Sequence, residues 1–195
     1  MYSPEFDELI QMLRKLPGIG KKQSEKIAFY IINSKTQDIL DFFNLVRELQ
    51  LNLQKCTYCH NLNLNKVCEI CLNPHRNSKL MIIESANDLE KFEKLDIFDG
   101  KYYILDKDFI KSYIENPADE SVFEKLKKYA QKFPEIIISL SPTLEGQIIT
   151  NYLKKIISSD KNEVTQLAHG IPLGSQVEYI DQFTLKEALI NRKKI

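Results

Sequence analysis

Four cysteines make up the whole thiol content of this 195-residue chain, and they fall in two close pairs: Cys56-Thr57-Tyr58-Cys59 and, eight residues on, Cys68-Glu69-Ile70-Cys71. Two residues inside each pair let two thiolates converge on one ion from a tight turn. Two such knuckles complete a tetrahedral S4 shell, which suits zinc. With all four positions filled by protein, such a site is structural, and the module around it needs the ion to fold. Two disulfides, four unrelated thiols and an iron–sulfur cluster are the alternatives. The chain opens on an acidic stretch, Glu5-Phe6-Asp7, with no apolar signal core, so export is not expected and disulfides are disfavoured. His60 and His75 lie close to the cysteines, but a closed S4 site needs neither, and both are expected to face solvent or stand just outside the sulfurs.

A second constellation is Leu16-Pro17-Gly18-Ile19-Gly20-Lys21-Lys22. Pro-Gly-x-Gly makes a sharp turn with little side-chain bulk. The backbone N–H groups of the helix that follows can then approach an anion closely. Lys21, Lys22 and Lys26 surround that point, and the last two share a helical face. The pattern is that of a helix-hairpin-helix, which grips phosphates without reading bases; a plain connecting turn is the alternative. Gly18, Gly20, Lys21, Lys22 and Lys26 are therefore the candidate DNA-binding residues.

The third set is carboxylate. Glu84 ends an apolar run, Met81-Ile82-Ile83, and Glu145 follows another in Ser141-Pro142-Thr143-Leu144-Glu145-Gly146. In sheets of alternating strands and helices, functional groups gather at the carboxyl ends of the strands. Two carboxylates with only hydroxyls and a proline between them make a poor magnesium cage. Ordinary polar positions at strand and helix ends are the competing reading. Asp106 and Asp108 follow another strand end and could be invoked for the carboxylates that Glu84 and Glu145 alone do not supply. His169 lacks an obvious acid or nucleophile nearby in sequence and is read as structural, in a tight loop.

The elements that must position these residues follow from patterning. Ser3-Pro4 is an N-cap followed by proline at the first helical position, and Phe6, Leu9, Ile10 and Leu13 form one apolar stripe. A second helix is predicted from about Lys22 to Ile32. A third, capped by Thr36, carries Ile39, Leu40, Phe43 and Val46. Beyond the cysteines, strands over Leu80–Ile83, Tyr102–Leu105, Ile136–Leu140 and Val164–Ala168 alternate with helices over Asn87–Leu95, Ser121–Lys132 and Leu144–Ile157. This pattern predicts a mainly parallel sheet covered on both faces. A last helix is expected to start at Thr184, with Glu187 three residues on. The fold class is α+β multidomain: residues 1–53 a helical DNA-binding region, 54–78 a cysteine module, 79–173 an α/β body and 174–195 a C-terminal helical tail.

Composition excludes several classes. Lys+Arg and Asp+Glu each number 27, and 43% of residues are hydrophobic, as in an ordinary globular protein. No apolar run approaches the roughly 18–20 residues of a membrane span. Charge is uneven, with six basic residues and only Glu25 acidic between positions 14 and 35; by charge alone this reads first as a solvated lysine face, and an anionic partner, if there is one, should meet the first thirty-five residues.

The α/β body resembles a Toprim domain, the module of topoisomerases and bacterial primases, which pairs a glutamate with a later Asp-x-Asp to hold Mg²⁺. Here Ser141-Pro142-Thr143 stands where the acidic pair would be. Taken whole, the chain resembles the bacterial recombination mediator family RecR. The likeness rests on the glycine turn with Lys22 and Lys26, the four cysteines, Ser141–Gly146, and Ala168-His169-Gly170-Ile171-Pro172-Leu173-Gly174 followed by Glu178-Tyr179. The resemblance implies a non-catalytic, zinc-containing, cytoplasmic and nucleoid-associated DNA-binding protein that assembles as a dimer or tetramer ring. It further implies action with RecO, and possibly RecF, in loading RecA on gapped single-stranded DNA, with no membrane association. Lys22 and Lys26, beside Lys21, become the DNA contacts, and the face near Glu84 and Glu145 the RecO-contacting surface. A Toprim-type metal-dependent nuclease or primase-like enzyme is the alternative. Two departures from the family pattern stand out. The stretch after Leu105, Asp106-Lys107-Asp108-Phe109-Ile110-Lys111, replaces a glycine pair and loop, with Asn116-Pro117 a loose echo. Ser141 stands where Asn is usual.

Overall fold

The computed structural model describes residues 2–116, 121–192 and 194. It divides into two compact units, Met1–Leu53 and Gln54–Ile195.

In the first unit, α1 (Pro4–Leu13) starts as its sequence requires: the Ser3 hydroxyl accepts the Phe6 N–H at 3.3 Å, and Pro4 takes a first-turn position whose N–H has no helical partner. After the glycine turn comes α2 (Lys21–Asn33), which buries Ala28 completely. Tyr2, Phe6 and Phe29 gather their rings at 4.9–5.7 Å and hold α1 to α2. The third helix, α3 (Thr36–Asn52), begins one residue earlier than expected. The Ile39 N–H bonds to the Lys35 carbonyl, so Lys35 is the cap and Thr36 is already helical. Of the α3 apolar set, Ile39 and Val46 are half-buried, whereas Leu40 and Phe43 are exposed.

The second unit opens with an antiparallel pair of two-residue strands, β1 (Gln54–Lys55) and β2 (Leu62–Asn63), then a single helical turn, α4 (Glu69–Leu72). The body follows in the order β3 (Lys79–Ile83), α5 (Ala86–Leu95), β4 (Lys101–Ile104), α6 (Lys107–Glu115), α7 (Ser121–Ala130), β5 (Glu135–Ser139), α8 (Leu144–Ile157), β6 (Glu163–Gln166) and α9 (Gln182–Ile190). Strands β3 to β6 form one parallel sheet in the order β4-β3-β5-β6, with Ile83 opposite both Ile104 and Ser139.

Burial explains the unbroken apolar runs. Successive side chains point to opposite faces, so Leu80 and Ile82 pack with Ile136, Ile138, Leu126 and Leu153 under α7 and α8. Met81 and Ile83 pack on the other face with Leu89, Phe98 and Tyr102 under α5. Both faces being covered, β3 has no polar alternation to show.

Two expectations need correction. The stretch after Leu105, read as a diverged loop, is helix α6. Asp106 caps it by accepting the Phe109 N–H at 3.0 Å, and Ile110 and Tyr113 fall into the core. Pro117, part of the loose family echo, lies outside the described residues. The last helix is capped by Asp181 rather than Thr184. The carboxylate accepts both the Thr184 N–H at 2.9 Å and its hydroxyl at 2.6 Å, so Thr184 serves the cap from inside the first turn.

The loop from β5 into α8 passes so close to the helix that a Cβ on Gly146 would collide with the Ser141 carbonyl oxygen. Gly146→Ala is therefore expected to destabilise this unit by about 1–3 kcal/mol in urea unfolding followed by circular dichroism, a typical overpacking penalty. Gly170→Ala, where a Cβ meets nothing within 4 Å, should leave the midpoint in place.

Candidate nucleic-acid interface and metal centre

The glycine turn leaves open space at both its glycines, where an added Cβ would meet nothing within 4 Å. Gly18 has φ +78°, a conformation glycine adopts without strain. Gly20 is the extended N-cap of α2 and makes no side-chain cap, and a Cβ there would meet nothing within 4 Å. Packing within the chain therefore does not demand glycine at position 20, whereas close approach of a partner's backbone would. The first intrahelical bond runs from the Ser24 N–H to the Gly20 carbonyl, so the N–H groups of Lys21, Lys22 and Gln23 stand at the open positive end of the helix. Lys21, Lys22 and Lys26 are exposed, and among the described residues none of them is ion-paired. The structure thus brings Gly18, Gly20 and the three lysines to one turn and the first turns of α2.

The four cysteines meet as their spacing requires. Cys56, Cys59, Cys68 and Cys71 are all buried, and their sulfurs lie within 4.8 Å of one another. The Cys59 and Cys68 sulfurs are 3.5 Å apart, close to the roughly 3.8 Å edge of a tetrahedron with about 2.3 Å metal–sulfur bonds. The knuckles are held by backbone: Cys56 accepts the Cys68 N–H on its sulfur at 3.4 Å and the His60 N–H on its carbonyl at 3.0 Å. His60 itself turns through φ +64°. Hydrogen bonding from Cys59 drives the Cys68 thiol down to about 2, and the same contact pushes Cys59 far up. Four sulfurs this close cannot all ionise without a cation between them. The donor set therefore fits a metal ion.

This module is tied to β4, the first strand in the sheet order and largely buried. The Ile104 N–H donates to the Cys59 carbonyl at 2.8 Å, and the Lys101 ammonium to the Cys71 carbonyl at 2.7 Å. Lys55 pairs with Asp106 at 2.6 Å and holds that carboxyl below its usual range. Asp106 is thus spent on a cap and an ion pair, and Asp108 is exposed in the first turn of α6. Of the two places expected for it, His60 takes the one just outside the sulfurs: its N–H is on the Cys56 carbonyl, its ring is half-buried against Tyr103 at 4.7 Å, and burial lowers its pKa. His75 is exposed.

At the carboxyl end of the sheet, Glu84 is 8% exposed and both its oxygens are taken. Ser141 donates its N–H to Oε1 at 2.6 Å and its hydroxyl to Oε2 at 2.7 Å. Thr143 caps α8, accepting the Gly146 N–H at 3.1 Å. Glu145 is exposed on the first turn of α8. Glu84, Ser141, Thr143 and Glu145 line one cleft of about 230 Å³, from which Asp106 is absent. Among the described residues the cysteines are the one group of three or more His, Cys, Asp or Glu side chains close enough to share an ion. His169 contacts Gln166 at 3.5 Å and the Phe183 ring at 6.2 Å, with no acid bonded to it among the described residues. The signal that sequence reasoning passed over was Ser141. A glutamate kept where its acidic partners are gone needs another partner, and a hydroxyl beside a free N–H supplies one. No helix of the described residues is long and apolar enough to cross a membrane.

Comparison with known proteins agrees with this arrangement. Residues 6–49 match the family model described as RecR, helix-hairpin-helix; residues 78–168 match the Toprim domain; and residues 170–193 match RecR, C-terminal. Recombination protein RecR of Mycoplasmopsis pulmonis is 42% identical over 193 residues, covering 99% of this chain and all of that protein. The RecR proteins of Ureaplasma parvum serovar 3 and Francisella tularensis subsp. tularensis are each 34% identical, over 98% and 100% of this chain and 96% and 98% of their own lengths.

Replacing one ligand leaves three thiolates around an open position and removes the closure on which a small module depends. Cys68→Ser is expected to cut bound divalent metal, measured by mass spectrometry of purified protein, to a small fraction of the wild-type ratio. It should also expose the 57–67 loop to trypsin at Lys66. Full retention of metal by the variant would contradict a four-sulfur site.

Proposed function

Because this chain belongs to the RecR family of recombination proteins, we propose that it is a non-catalytic DNA-binding mediator of recombinational repair. The observation that carries the proposal is the open turn at Gly20, with Lys21, Lys22 and Lys26, none of them ion-paired among the described residues, around the N-terminus of α2. Backbone N–H groups and lysines aimed at one point take a phosphate of any sequence, so binding is general and salt-sensitive. In this reading the protein acts in the cytoplasm on nucleoid DNA. It works with RecO, and with RecF where that protein takes part, to load RecA on gapped single strands.

Zinc is the proposed ion at Cys56, Cys59, Cys68 and Cys71, since an all-thiolate tetrahedral set favours it and leaves no open position for chemistry. Its role is to fasten residues 54–78 to the edge of the α/β body, residues 79–173, with residues 174–195 as a tail. Absence of catalysis is supported by Glu84: a carboxylate held by two donors from Ser141, beside hydroxyls rather than acids, has little left for magnesium. The exposed Glu145, at the mouth of the cleft that Glu84 floors, is the proposed point of RecO contact. Formal net charge is zero, so a single copy holds DNA weakly, and a ring of two or four copies gains by avidity what one hairpin lacks.

The test is a titration of gapped DNA with Lys22→Ala/Lys26→Ala against the wild-type protein. Binding is expected to weaken about tenfold or more at moderate salt, with the log–log salt slope reduced by about 1.8 on duplex, two phosphates' worth. Wild-type binding by the double variant would defeat the assignment.

A further inference from the structure

On the second unit, the knuckle residue Tyr58 and helix α7 create a surface that the hairpin reading does not use. The rings of Tyr58 and Tyr129 stack with centroids 6.0 Å apart and planes 23° from parallel. The Lys132 ammonium lies 6.0 Å and 5.9 Å from the two centroids. This trio forms a ridge between two concavities, of about 500 Å³ and about 230 Å³, each lined by all three residues. Lys101 adds to the larger, and Lys125 and Lys128, on one face of α7, to the smaller. Among the described residues no carboxylate lines either.

We propose that this ridge is a second DNA contact, specific for single strands: an unpaired base stacks on Tyr58 while Lys125, Lys128 and Lys132 take the flanking phosphates. The inference takes from the proposed function only that the partner is DNA. Tyr58 is suited to stacking because the residue is 46% exposed while its backbone is fixed between two buried cysteines. Tyr129, by contrast, is anchored with its hydroxyl 4.0 Å from the Cys71 sulfur and supports Tyr58 from behind. Alternating aromatic faces and cations are what non-specific single-strand binders present, whereas duplex DNA offers the phosphates but no free base face. The ion pairs in reach do not cancel the charge. Glu124 meets Lys128 at 3.8 Å as an exposed pair one helical turn apart, which is weak in water. Lys101 is committed to the Cys71 carbonyl, and so offsets the negative sulfur centre rather than facing outward. An acidic segment of a protein partner would also use the lysines but would not need the exposed ring, so the ring decides between the two occupants.

The experiment is fluorescence anisotropy of a labelled oligothymidylate, free and annealed to its complement, with the full-length protein carrying Lys22→Ala/Lys26→Ala so that the hairpin is silent. Metal content is measured alongside. Adding Tyr58→Leu is expected to weaken single-strand binding about fivefold or more, with duplex affinity changed by less than about twofold; Tyr58→Phe, which keeps the ring, should stay close to the parent. Adding Lys125→Ala/Lys128→Ala should lower the single-strand salt slope by about 1.4. Parent-like single-strand binding by Tyr58→Leu with metal retained overturns the proposal, as does an equal loss on duplex. Should Tyr58→Leu shed its metal, the lysine pair decides, and an unchanged slope overturns the proposal. Failure of the hairpin assignment gives a different result: the parent, with Tyr58 in place, then binds gapped DNA like wild type.

Discussion

The carboxylate of Glu84 and the two donors of Ser141 fix what the α/β unit can do. They join the carboxyl ends of the two central strands, β3 and β5, at the point where such sheets place their chemistry. A nearly buried carboxylate must be satisfied, and here a backbone N–H and a hydroxyl satisfy it. With Ser141 engaged, Thr143 is committed to the cap of α8, and Gly146 is forced by the close passage of the Ser141 carbonyl. Glu84, Ser141, Thr143 and Gly146 together make a hydrogen-bonded corner. The cleft that remains is shaped by acids but holds no cluster of them.

The sulfur centre works at the other side of the same sheet. A module whose strands are two residues long and whose helix is one turn has little apolar surface to bury, so four buried sulfurs, a set that could hold a metal ion, take the place of a core. The module in turn covers strand β4, an edge that would otherwise present unpaired N–H groups, through the Cys59 carbonyl and the Lys101 ammonium. Fastening the knuckle to the sheet also sets Tyr58 against Tyr129, which places an aromatic face and the lysines of α7 side by side.

How much of this was legible in the sequence depended on distance along the chain. The cysteine pairs could be read because each pair is a local turn and no cysteine is left over. The glycine turn could be read because helix stripes flank it on both sides. Strand β3 and its neighbours showed as apolar runs because both faces of the sheet are covered. Helix α6 carried its own signal, an Asp106 cap with Phe109, Ile110, Tyr113 and Ile114 at helical spacing, but comparison with the family's usual loop obscured it. The cap of α9 was misplaced because Asp181 and Thr184 are both capping types and only geometry shows which accepts. Ser141 and Glu84 lie 57 positions apart, and Tyr58 and Tyr129 lie further apart still; no local pattern joins such pairs, so only the fold revealed them.

The central claim is that the chain retains DNA without transforming it. The most direct measurement mixes the full-length protein with end-labelled gapped DNA, Mn²⁺ and nucleoside triphosphates, reads retention by filter binding, and resolves the strands on a denaturing gel. The account predicts retention with every strand unchanged in length. Metal-dependent shortening or extension that disappears in Glu84→Ala would contradict it.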